Sequence, residues 1–195
     1  MRNHKVVLTR SLAGVPTAAD FRVVAEPLPE PGDGQFLVRH VYLSLDPYQR
    51  SAMAGRHMTG RQPLGPGDMP AAETLGQVIR SRHPDFAEGE YVRHFGGWQE
   101  YGLSTGERTE RVDPALAPLS AWLGVLGMPG LTAWASIIEL AGVHADQTVL
   151  VSAALGPVGS MVGQLAMLRG AQAVGIAGSD EKCGIITREF GFRAC

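Results

Sequence analysis

Residues 148–159, TVLVSAALGPVG, constrain the fold of this chain more than any other stretch. A short apolar run rich in valine and small residues opens directly into a turn carrying Gly156 and Gly159. Behind the turn, residues 160–169 (SMVGQLAMLR) are patterned as a helix, and residues 173–177 form a second apolar run. Strand, glycine turn, helix and strand make the βαβ unit that cradles a dinucleotide pyrophosphate. At Gly156 the backbone can approach a phosphate where a Cβ would collide, and Gly159 lets the helix pack closely on the strand. Backbone N–H groups at the helix start, with the dipole behind them, favour the anion. The fingerprint is A-x-G-x-x-G, with Ala154 in first place, so its spacing alone also fits a plain strand–helix turn.

The end of the second strand bears on cofactor choice. NAD sites place an acidic residue about 20 residues past the glycines to hold the ribose 2′-hydroxyl. Here AVGIAG ends in Gly178 and Ser179, followed by Asp180, Glu181 and Lys182. A glycine and a hydroxyl leave room for a 2′-phosphate, and Lys182 can supply a positive charge, although a solvated surface lysine is its plain alternative. Asp180 and Glu181 fit the first turn of a helix, where carboxylates are stabilised and can point away. NADP is therefore the expected cofactor rather than NAD.

Composition sets outer bounds. A chain of 195 residues, 45% hydrophobic, can bury a core in one or two domains. A net charge of −2 with scattered Lys and Arg gives no reason to expect nucleic acid. The first residues, MRNHKVVLTRSL, lack the apolar centre of a signal peptide, and no segment approaches about 18 apolar residues in a row. The two cysteines, Cys183 and Cys195, have no metal-like spacing; they read as ordinary free thiols and suit a reducing cytosol.

Up to about Ser104 the chain reads as short strands: residues 5–9, 21–25, 35–43 and 73–80, separated by PLPEPGDG and RQPLGPGDMP. Residues 90–94 and 98–103 suggest a hairpin-like pair across Gly96 and Gly97. Such a series predicts a small β-barrel or sandwich. Helical patterning follows, over residues 120–126 and 132–141, with Pro129 and Gly130 expected to break the chain between them as a hinge. The fold class is mixed α/β, with domains at residues 1–126 and 127–195. Asp46 and Arg50 are expected to pair structurally, and Trp98 and Tyr101 to anchor the barrel. None of the six histidines, His4, His40, His57, His83, His94 and His144, has ligand or triad spacing.

Five segments carry a wider pattern: LSLDPYQR, GWQEY, GMPGLTAW, VSAALGPVGSMVGQLA and GIAGSDEKC. In this order and spacing they resemble the medium-chain dehydrogenase/reductase superfamily, in its zinc-independent prostaglandin reductase and alkenal double-bond reductase branch. The resemblance implies a GroES-like barrel followed by a Rossmann domain, NADPH as cofactor, and reduction of the C=C bond of α,β-unsaturated aldehydes and ketones. It also implies a homodimer in full-length relatives. Zinc-dependent relatives place a Cys and a His ligand in the segments aligned with LSLDPYQR and MPAAETLG. Here those segments offer Ser44, Asp46, Ala72 and Glu73, so no zinc is expected.

Hydride transfer to an enone leaves enolate charge on the carbonyl oxygen, which a positioned hydroxyl must stabilise without a metal. Tyr48 matches a tyrosine lining the family's substrate pocket and is the candidate for orienting the carbonyl, its alternative being a structural aromatic at a barrel turn. Met128 and Thr132 fall where the family's chain passes the nicotinamide. Thr132 either donates to the cofactor amide or N-caps the next helix. With Ala154, Gly156, Val158, Gly159, Gly178, Ser179 and Lys182, they make up the expected cofactor-binding set.

A doubly wound domain needs about six strands, and the sequence provides two before Cys195. The expectation is an exposed apolar sheet edge and weak or absent catalysis by this chain alone. Two other functions compete with enone reduction: quinone reduction within the same superfamily, and a non-catalytic module that associates with a full-length relative.

Overall fold

The computed structural model describes residues 1–56 and 62–195. His57 and Arg61, counted above among the histidines and in the second Pro/Gly-rich stretch, lie outside the described residues. The chain divides into two compact units, Met1–Leu123 and Gly124–Cys195.

The first unit opens with β1 (Arg2–Leu8) and β2 (Phe21–Pro27), antiparallel, with Leu8 opposite Phe21. Then come β3 (Phe36–Leu43), a short helix α1 (Pro47–Met53), β4 (Thr74–Ser81), β5 (Tyr91–His94), β6 (Tyr101–Ser104) and β7 (Glu110–Val112). These last five strands form one antiparallel sheet in the order β6-β3-β4-β5-β7. The backbone just before β6 also ties to β1: Val6 N–H donates to the Trp98 carbonyl at 2.8 Å, and Glu100 N–H to that of His4 at 2.9 Å. Phe36, Leu37 and Val38 are all buried, so the start of β3 is covered on both faces, as a curling sheet requires. Phe36 and Val38 pack with Val78, Phe86 and Val92.

Three expectations for this unit need correction. The segments around Gly96 and Gly97 do not form a hairpin. β5 pairs with β4 and β7, while β6 pairs with β3, because the intervening turn carries the chain across to β1. Asp46 and Arg50 are not a pair: Asp46 accepts from the Ser44 hydroxyl at 2.9 Å, and Arg50 donates to the Gly14 carbonyl at 2.8 Å. Trp98 and Tyr101 lie half-buried outside the core; Trp98 stacks on Phe21 at 5.4 Å, against the N-terminal hairpin.

The second unit begins with α2 (Met128–Trp134), which runs directly into a π-helical turn, Ala135–Leu140. Pro129 and Gly130 therefore start this helix rather than break it. Proline lacks only an N–H that the first turn would leave unbonded, and its φ suits that position. Residues 120–126 hold no α-helix but a 3₁₀ segment, Leu119–Leu123. Next come β8 (Thr148–Val151), α3 (Pro157–Leu168), β9 (Gln172–Gly175) and α4 (Asp180–Glu189). β8 and β9 are parallel, with Val151 opposite Gly175, which is the βαβ unit expected of residues 148–177. Val151, Ala154, Ala173, Ile186 and Phe192 form one apolar cluster; Ile137, Val143, Ala166 and Ala171 form a second.

The cysteines are not free thiols. Cys183 and Cys195 form a disulfide, with Cα atoms 5.1 Å apart. The cause lies in the backbone after α4. Arg193 N–H donates to the Ala173 carbonyl, Ala194 bridges Val174, and Phe192 is buried, so the segment turns back beside β9. That return brings two sulfurs 12 residues apart in sequence to the same side of α4. Among the described residues no helix is long and apolar enough to cross a membrane.

Candidate functional site

In the second unit the candidate site is the C-terminal edge of β8 and β9, where ligands bind in open parallel sheets. The chain leaves β8 through Ala153, whose φ of +48° is unusual for a residue with a side chain. That left-handed step turns the backbone so that Gly156 N–H bonds the Ala153 carbonyl at 2.8 Å. Gly156 is the N-cap of α3, Pro157 its first residue, and no side chain caps the helix. The first helical bond runs from Ser160 N–H to the Gly156 carbonyl, at 2.9 Å. The amides of Val158 and Gly159, one turn earlier, therefore point out of the helix start without an intrahelical acceptor. A Cβ on Gly156 would stand 3.0 Å from the Ala153 carbonyl oxygen, and one on Gly159 would stand 2.9 Å from the Ala154 Cα. Both glycines thus hold the turn tight; for Gly159 this is the close packing the sequence suggested, whereas the Cβ position of Gly156 faces the turn's own backbone.

The other expected contacts divide into three kinds. Ala154 is fully buried and donates its N–H to the Ile176 carbonyl at 3.1 Å, so it shapes the turn from within. Gly178, Ser179 and Lys182 are exposed beyond β9. Ser179 N-caps α4, its hydroxyl accepting from Lys182 N–H at 3.3 Å, while Asp180 and Glu181 occupy the first turn. A Cβ at Gly178 would meet nothing within 4 Å, which leaves open space at the tip of the second strand. Met128 and Thr132 sit one turn apart on α2, and both are exposed. Thr132 does not cap the helix, since Gly127 holds that place. Its hydroxyl donates to the Met128 carbonyl at 2.7 Å, so toward a ligand it offers lone pairs rather than a proton.

In the first unit Tyr48 lies not at a barrel turn but in the first turn of α1, where Asp46 is the N-cap. Burial holds its hydroxyl above the usual phenol range, and the nearby carboxylates of Asp46 and Glu73 add to this. It stays a neutral donor. Ser44 N–H donates to the Glu73 carbonyl at 2.9 Å, tying this segment to the start of β4. Beside it is a cavity of about 360 Å³ lined by Glu73, Arg93, Phe95, Arg108, Thr109 and Glu110. Arg93 lies 3.3 Å from Glu73 and also pairs with Glu110. Burial pushes the Glu73 carboxyl up, while Arg93 pulls it the other way. Sequence reasoning noticed Glu73 only as a missing zinc ligand and overlooked the rest. The available signal was the period of two that puts Arg93 and Phe95 on one face. Glu110, the register partner of Arg93, is 17 residues distant and has no local signature.

A histidine pair, His94 buried and His40 half-buried, was also missed. His40 and His94 meet Nε2 to Nε2 at 2.9 Å, and His40 Nδ1 lies 2.7 Å from the Gln99 carbonyl. That carbonyl accepts a hydrogen bond from His40 Nδ1–H, so His40 Nε2 must accept one from His94. Each ring is neutral, and burial holds His94 down to about 3.

The comparisons with known proteins agree with this arrangement. Residues 4–112 match the family model described as the N-terminal domain of oxidoreductase. The chain is 39% identical over 194 residues to the NADPH-dependent curcumin reductase of Escherichia coli, covering all of this chain and 56% of that protein. It is 43% identical over 178 residues to bovine prostaglandin reductase 1, covering 90% and 52%. The crystal structure of CurA from Vibrio vulnificus in complex with NADPH superposes with a TM-score of 0.90 at 38% identity, over 98% of this chain and 57% of that one. A mixed α/β chain with this barrel and this glycine turn is a medium-chain dehydrogenase/reductase. More narrowly, it belongs to the zinc-independent branch that contains the curcumin, prostaglandin and alkenal reductases. It spans about half the length of the curated relatives that it matches.

Proposed function

We propose that the protein is an NADPH-dependent reductase of the C=C bond of α,β-unsaturated aldehydes and ketones. The observation that carries the reading is the uncapped start of α3, where Gly156 and Gly159 pack too closely on the Ala153–Ala154 turn to carry a Cβ and no side chain covers the first amides. The amides of Val158 and Gly159 would hold the diphosphate. Ser179 and Lys182 would meet the 2′-phosphate over the open space at Gly178, and Thr132 would accept from the carboxamide. Bound there, NADPH supplies a hydride. Tyr48 would orient the acceptor by donating a hydrogen bond to its carbonyl oxygen, a bond that strengthens as enolate charge develops. Its raised pKa keeps the donor proton in place through neutral pH. Names of similar proteins support the same reading: an NADPH-dependent curcumin reductase, prostaglandin reductases and a tobacco 2-alkenal reductase.

The same reading takes the whole enzyme as cytosolic and homodimeric, without a nucleic-acid or membrane partner. The net charge of −2 and the scattered basic residues support the absence of a nucleic-acid partner. The test is NADPH oxidation in a protein that carries this chain together with the remainder of the nucleotide domain. An enal should support turnover and a quinone should not. Tyr48→Phe should lower kcat about 100-fold. Quinone-only turnover, or Tyr48→Phe with unchanged kcat, would contradict the assignment.

A further inference from the structure

We propose that Arg108, seated on Phe95, is a binding fork for the carboxylate of a planar ligand in the cavity of the first unit. The cavity has two guanidinium groups and two carboxylates on its wall, but they are not evenly matched. Glu73 and Glu110 both converge on Arg93. Among the described residues Arg108 forms no salt bridge. Its guanidinium carbon instead sits 4.4 Å from the centre of the Phe95 ring, a side chain that is 48% exposed. Stacking fixes the plane of a guanidinium and leaves its N–H edge free. That edge matches a carboxylate through two parallel hydrogen bonds.

The backbone supplies the second observation. Arg108 has φ +51°, a left-handed conformation that a side chain disfavours. It is held there by its loop. Thr109 N–H bonds the Gly106 carbonyl at 3.2 Å, Gly106 N–H bonds Ser104 Oγ at 3.1 Å, and the hydroxyls of Ser104 and Thr109 meet at 2.9 Å. A strained residue over-determined by its surroundings, presenting a guanidinium edge that no carboxylate bridges, is the signature of a preorganised contact. The glutamates narrow the ligand. A dianion such as a phosphate would face both of them, whereas a carboxylate brings one charge and a flat conjugated body that can lie against Phe95.

This deepens the proposed reduction by naming a class of acceptor, enals and enones that also carry a carboxylate, yet the site itself does not depend on turnover. The probes are trans-cinnamate and its uncharged amide, titrated into this chain and followed by NMR. Cinnamate should bind at least tenfold more tightly than cinnamamide, with shifts at the Arg108 side chain and Phe95, and should weaken as salt rises. Arg108→Gln should bring cinnamate down to the level of the amide, and Arg108→Lys should fall between them. Arg108→Gly separates binding from folding: glycine suits φ +51°, so the folding midpoint should not fall while cinnamate binding is lost. Equal binding of the two probes, or undiminished cinnamate binding by Arg108→Gly, would overturn the proposal. Cinnamate binding without enal reduction in the longer protein would uphold this site and defeat the proposed function. Enal reduction with no cinnamate preference would do the reverse.

Discussion

The two units of this chain are built on opposite principles. Every buried polar or charged side chain among the described residues, Asn3, Asp20, Gln49, Thr74, His94 and Ser104, belongs to the first unit. The second unit buries valine, alanine, isoleucine and phenylalanine, closes its turns with glycine, and adds a disulfide. Strands that pair across long stretches of sequence must satisfy their interior polar groups one by one, whereas a βαβ unit satisfies its backbone locally and needs only close packing. The first unit should therefore be the one that chemistry can undo, and the second the one that sterics and reduction can undo.

Acid should separate them most widely. His94 is buried neutral with its pKa held down to about 3, below the value near 6.5 of an unfolded histidine. Its contribution is complete above pH 6.5 and is lost as pH falls toward 3, because the unfolded chain binds the proton first. The loss should reach on the order of 4 kcal/mol across that window. Amide exchange in β3 and β5 should accelerate with acid before exchange in β8 and β9; the opposite order would erase the contrast. Reduction should act on the other side. Opening Cys183–Cys195 should cost the second unit about 3 kcal/mol and leave the melting of the first unchanged.

Smaller effects sharpen the picture within the second unit. Gly159→Ala places a methyl against the Ala153–Ala154 turn and should cost about 1–3 kcal/mol, with weaker NADPH binding. Gly178→Ala meets nothing and should be close to neutral in stability. Lys182→Ala should weaken NADPH about tenfold and leave NADH unchanged, roughly the loss of one charge-assisted contact. A thermal denaturation series with both coenzymes reads all three substitutions.

The same division governs what could be read in advance. Residues 148–177 declared their fold because strand, turn and helix are contiguous and each glycine acts on atoms a few residues away. The family segments likewise drew attention to Tyr48, Ser44 and Glu73, which the fold then brings near one another at the start of β4. What escaped was non-local. Asn3 donates to Gln99 across 96 positions and His40 meets His94 across 54, and neither pair has a periodicity to betray it. The disulfide escaped because composition suggests a compartment, not a geometry; the return of Phe192 and Ala194 beside β9 decided it. Pro129 reads as a breaker in the sequence, yet the first turn of a helix tolerates what its interior does not.

The proposed function rests on a diphosphate held by the bare amides at the start of α3. Fluorescence titration of NADPH and NADH against this chain alone tests that placement, with Gly159→Ala as the control. Saturable binding that favours NADPH and weakens in the variant is expected. Binding indifferent to Gly159 would mean that the coenzyme site lies elsewhere, and preference for NADH would contradict the 2′-phosphate contacts at Ser179 and Lys182.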